Sequence, residues 1–141
     1  MSFDARGSAA VEFALVLPLL LILLLGTVEF GNLFFQRLEI SQAAMSGARA
    51  GITGSDKATA ETIAKNVACA SLPTAMQQQI STCGGAAGGS LIAAVDTAAA
   101  PQQLVVTISW PYQPIVGNAL FNLAALNLKG ITLQGKAALQ F

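Results

Sequence analysis

At 141 residues the chain has room for one small domain beside its N-terminal element. Apolar residues make up 54% and charged ones only 10%, too greasy on average for a free soluble protein, and much of that excess lies in the first fifty residues. Seven basic residues balance seven acidic ones and none cluster, so no net field recommends nucleic acid as a partner.

The chain opens on a short polar leader, Met1 to Gly7, that contains Arg6. Ser8-Ala9-Ala10-Val11-Glu12-Phe13 follows and runs directly into the aliphatic stretch Ala14 to Leu25. A carboxylate at the edge of such a stretch is costly unless something pairs with it, so Glu12 asks for a functional explanation. A cut after Gly7 would give Ser8 a free amine close to Glu12. That amine is a cation for the carboxylate, on the same chain or on a neighbouring copy.

The uncharged window Phe13 to Val28 is about 24 Å of helix at 1.5 Å per residue, slightly short of a hydrocarbon core of about 30 Å. Extending it to Phe35 makes a sufficient span, about residues 13–35, with Glu29 in the far interface. Three roles are open to Glu29: anchoring at the outer headgroups, pairing with Arg37, or meeting another subunit. A cleavable secretory signal fits poorly, because Leu24-Leu25-Gly26 lacks the small residue signal peptidase requires and the helical pattern continues past the run. Arg6 favours a cytoplasmic N-terminus, which places residues beyond 35 outside. Pro18 is expected to kink or loosen the helix.

Helical character persists from Gln36 to Gly51, giving one long element over residues 8–52. Its outer half carries Ser41, Ala43, Ala44, Ser46, Gly47, Ala48 and Ala50, small side chains that permit close approach of a helix or sheet. Gly51 and Gly54 supply a stop. Ser55-Asp56 reads as the N-cap of a second helix through about Ala70, with Thr59, Ile63 and Val67 on one face. Pro73 ends it, and residues 77–80 suit one further turn.

Cys69 and Cys83 enclose thirteen residues. In an oxidising compartment a disulfide is the favoured reading, worth about 3 kcal/mol on the loop-entropy model. A metal site is not expected, since two thiols without any histidine leave too few ligands. The stretch Gly84 to Gly89 reads as a flexible tether.

In the last third the period changes to two. Leu104, Val106, Ile108 and Trp110 alternate with Val105, Thr107 and Ser109, and Pro111 closes the strand. Ile131, Leu133, Gly135, Ala137, Leu139 and Phe141 form a second alternation, and Leu91 to Val95 a weaker third strand. Between the two better strands, Asn118 to Leu128 suits a short helix. The expected fold class is α+β: a long N-terminal helix, a short helix, and a small antiparallel sheet of about three strands in an outer domain, residues 53–141.

Gly7-Ser8-Ala9-Ala10-Val11-Glu12-Phe13-Ala14-Leu15-Val16-Leu17-Pro18, with Gly26-Thr27-Val28-Glu29-Phe30-Gly31 downstream, resembles the TadE-like family. These are pseudopilins of the tight-adherence (Tad, or Flp) pili of bacteria. Val105 to Pro114 and Gly130 to Leu133 are similar to that family's outer segment. The resemblance implies a leader, residues 1–7, removed by a prepilin peptidase between Gly7 and Ser8, with Glu12-Phe13 after the cut. It further implies a minor pilus component working with other pilins, an inner-membrane assembly platform and a cytoplasmic secretion ATPase. The precursor is then expected in the inner membrane by a single pass with its C-terminal domain outside, and the processed form in the pilus or at the cell surface.

An enzyme is not expected: there is no G-x-S-x-G, no P-loop, and no nucleophile with a plausible base, hence no cofactor and no small-molecule substrate. The alternative is an unprocessed membrane-anchored protein whose outer domain binds or adapts a partner. It would keep its first seven residues.

Overall fold

The computed structural model describes residues 5–86, 88–115 and 130–140. Helix α1 (Ala5–Gly51) contains 47 residues, about 70 Å at 1.5 Å per residue. Leucine- and alanine-rich sequence with no interior breaker except Pro18 favours so long a helix. The proline withholds one main-chain donor, and helical structure continues on either side of it.

Helix α2 (Lys57–Ser71) starts at Asp56, whose carboxylate accepts from the Thr59 hydroxyl at 2.6 Å and the Thr59 amide at 3.2 Å. The hydroxyl bond, then the amide bond, holds the Asp56 carboxyl below its ordinary range. The face of α2 that meets α1 is Ala60, Ala64 and Ala68, not the expected Thr59-Ile63-Val67 row. Thr59 is exposed, while Ile63 and Val67 are half-buried. Close approach explains the difference. A Cβ on Gly47 of α1 would stand 2.7 Å from the Ala64 carbonyl oxygen and 2.7 Å from the Ala68 Cβ, so branched side chains have no room between the backbones.

Pro73 precedes a single turn, α3 (Thr74–Gln77), which begins three residues earlier than the expected turn at 77–80. A 3-10 turn at Ser81–Cys83 follows, and Cys83 is joined to Cys69 by a disulfide with the Cα atoms 5.6 Å apart. The glycine-rich stretch beyond it is not a loose tether. Gly85 and Ala86 donate to the Ile80 and Gln78 carbonyls, and Gly89 donates to that of Gln79. A Cβ at Gly85 would lie 2.5 Å from the Gln77 carbonyl oxygen, so glycine is required here by contact with backbone.

Strands β1 (Ser90–Asp96), β2 (Gln103–Pro111) and β3 (Thr132–Gln140) form an antiparallel sheet in the order β1-β2-β3. The α+β class holds, and Leu104, Val106, Ile108 and Trp110 are buried as expected, with Leu91, Ala93 and Val95 on one side and Leu133 and Ala137 on the other, whereas Ile131 lies before β3 and is exposed and Leu139 is half-buried. This face lies on Ile40, Ala43, Ala44 and Ala48 of α1 and on the alanines of α2, giving one core. Side chains hold the β1 edge at two points. Glu61 accepts from the Val95 amide at 3.0 Å, and the Thr82 hydroxyl both accepts from and donates to the main chain of Leu91 at 3.1 Å. Residues 118–128, where a short helix is expected, and Phe141 lie outside the described residues.

Strand β2 runs back along α1. Leu104 packs against Gly51, Ile108 pairs with Gly135 over Ile40, and the chain after Pro111 reaches Glu29. The outer domain therefore grips the distal half of α1, and the turn after β2 touches the helix where its free half begins.

Candidate functional site

No residue between 7 and 28 is buried. Val11, Phe13, Leu15, Leu19, Leu23 and Leu24 project in all directions around α1, each at least 60% exposed. A helix that is apolar all round is made for surroundings other than water. It is long and apolar enough to cross a membrane, with a mean hydropathy of 2.6 over its most apolar window.

Four of the expected site residues sit together at the start of this shaft. Gly7, Ser8 and Glu12 are exposed within α1, as is Phe13, whose ring is 61% exposed. A Cβ at Gly7 would meet nothing within 4 Å. The folded chain therefore does not demand glycine there. On the helix Glu12 has Ser8 one turn before it and the apolar Ala9, Leu15 and Val16 beside it, and a bundle that covered this face would enclose its carboxylate largely in hydrocarbon.

Glu29 lies about 25 Å further along the helix at 1.5 Å per residue. It is 1% exposed, the buried acid of the outer domain's margin. Its carboxylate accepts from the Tyr112 hydroxyl and from the Ile115 amide at 3.1 and 3.2 Å. These bonds tie α1 to a turn more than eighty residues away and offset the desolvation of the acid. Trp110 and Tyr112 of that turn are both 4% exposed and complete the core. Beside them a groove of about 390 Å³ opens between Gln36 and Glu39 of α1, Met76, and Gln113.

Tyr112 is the chain's single tyrosine, which makes its environment directly measurable. Burial, reinforced by the bond to the Glu29 carboxylate, pushes its hydroxyl from 10.0 up to about 12. The folded value lies above the unfolded one, so this contribution to stability is complete below pH 10 and is lost as pH rises from 10 through about 12. Alkaline titration of tyrosinate absorbance should give a midpoint near 12, and Glu29→Ala should lower it. A wild-type midpoint at the ordinary value would show that Tyr112 does not meet Glu29 in solution.

The sites fall into separate places. Gly7, Ser8, Glu12 and Phe13 share one end of the shaft, Glu29 marks its other end, and the Cys69–Cys83 bridge secures α2 to the turn before β1. Tyr112 and Ile115 were not singled out as partners of Glu29 by sequence reasoning. The one available signal was the lone tyrosine set in a proline-rich turn, Pro111-Tyr112-Gln113-Pro114.

No curated protein and no solved structure matches the chain. Residues 7–49, nearly all of the long helix with the Gly7–Glu12 motif at its start, match the family model described as TadE-like protein, so the N-terminal helix of this chain is TadE-like.

Proposed function

We propose that the protein is a minor pilin of a Tad-type pilus, held in the inner membrane by α1 as a precursor and cut between Gly7 and Ser8 by a prepilin peptidase. The observation that carries this reading is the bare apolar shaft with one carboxylate, Glu12, just beyond an unconstrained glycine, in a segment that matches the TadE-like family. Transfer from bilayer to filament keeps such a shaft in apolar surroundings throughout. Cleavage creates the Ser8 amine, and that cation pairs with Glu12 of the same or the next subunit. Other pilins and the assembly platform are then the partners of the shaft. The outer domain, residues 53–141, stands outside the membrane, where the Cys69–Cys83 bridge contributes about 3 kcal/mol by loop closure.

The deciding measurement is the N-terminal residue of the mature protein. Ser8 supports the pilin, whereas Met1 or Ser2 supports an anchored binding protein that keeps its leader. Gly7→Phe should yield only uncut precursor by intact mass, because the fold leaves space at position 7 and the change can act only on the peptidase. Normal processing of that variant would remove Gly7 from the recognition site.

A further inference from the structure

We propose that the turn Tyr112–Ile115 is a membrane foot of the outer domain, with the Ile115 side chain seated at the boundary between lipid headgroups and acyl chains. The inference rests on the membrane-spanning reading of α1 and adds a second point of contact with the same bilayer. Its basis is position along the helix. A span that starts at Phe13, just beyond Glu12, covers about 24 Å by Val28 at 1.5 Å per residue, so Glu29 comes within about 6 Å of the outer edge of a hydrocarbon core of about 30 Å. The Ile115 amide is bonded to that Glu29 carboxylate, so residue 115 lies at the same height as the end of the span.

The chemistry at that height suits lipid. Ile115 is 65% exposed although its main chain is pinned, and Phe30 and Phe34, one helical turn apart, are 51% and 62% exposed. Phe35 adds a further exposed ring about 9 Å beyond Glu29 along the axis, close to the outer edge of a headgroup layer roughly 5–8 Å thick. These side chains continue the apolar surface of the spanning shaft without a break. The occupant argued for is therefore the lipid surface itself. Glu29 and Tyr112 are positioning residues: they hold Ile115 against the membrane while their own polar atoms satisfy one another.

The test is spin-label accessibility in the full chain reconstituted into vesicles of phosphatidylethanolamine and phosphatidylglycerol, with the Cys69–Cys83 disulfide left oxidised. Nitroxides are placed singly through Leu15→Cys, Ile115→Cys and Thr97→Cys. Leu15 is in the shaft, and Thr97 follows the end of β1 that lies farthest from Glu29. Collision with oxygen and with a water-soluble nickel chelate is then compared. The expected result is a several-fold higher oxygen-to-nickel ratio at 115 than at 97, approaching that at 15, and a fall at 115 alone when Glu29→Ala is added. A water-like ratio at 115 with a lipid-like ratio at 15 overturns the foot and leaves the spanning helix intact. Water-like ratios at both positions overturn the spanning reading itself. Protection of 115 from both reagents overturns the foot in favour of cover by protein, a second copy or another subunit.

Discussion

Glu12→Ala should leave the protein in the membrane at its normal level and remove it from sheared pili. Insertion depends on the aliphatic stretch, and exchanging an exposed carboxylate for a methyl group makes that stretch more apolar. Assembly is different: on the proposed reading, the Ser8 amine created by cleavage would enter an apolar bundle without its counter-charge. Breaking a buried ion pair by deleting one member costs about 3–5 kcal/mol, a factor of roughly a hundred to several thousand in incorporation. Glu12→Gln, which keeps a hydrogen-bond acceptor, should recover part of the loss. Pili that contain the alanine variant at wild-type stoichiometry would refute the pairing role, whatever the state of the leader.

Gly47→Leu should strongly destabilise the outer domain. The position faces α2 so closely that even a Cβ would stand 2.7 Å from a carbonyl oxygen and from Ala68. Overpacking a core commonly costs 1–3 kcal/mol and more when backbone must yield, so a loss of about 3 kcal/mol or more is expected, against a total of roughly 5–15 for a typical domain. Gly31→Leu is the control, since a Cβ there meets nothing within 4 Å. Denaturant unfolding of both variants in detergent gives the comparison. Equal midpoints for the two would mean that α1 and α2 do not meet through Gly47 and Ala68.

Much of this architecture is legible in the residues because it rests on local periodicity. Leu104, Val106, Ile108 and Trp110 alternate with smaller or polar neighbours, and a strand with one covered face can bury only that set. The shaft is legible for the same reason, as is the Gly7–Glu12 motif at its start. Contacts decided by fit between distant elements are not. Ile63 and Val67 are the larger apolar residues of α2, yet Ala60, Ala64 and Ala68 are buried, because the small residues of α1 draw the two backbones together. Likewise Gly84 to Gly89 has the composition of a linker, but Gly85, Gly88 and Gly89 lie close against residues 77–80. For Glu29, sequence leaves headgroups, Arg37 and another subunit all open. The bond to Tyr112 appears only when the turn after β2 returns to the helix.

Two clasps on the margin of β1 bear on how copies of the chain meet. Precursors awaiting export would crowd their outer domains side by side, and a bare strand invites neighbours to zip onto it. With the Val95 amide held by Glu61 and Leu91 clasped by Thr82, recruitment of a foreign strand on that flank would first require both bonds to be surrendered. Sideways pairing through β1 is thereby disfavoured, which leaves the apolar shaft as the more open surface for contact between copies.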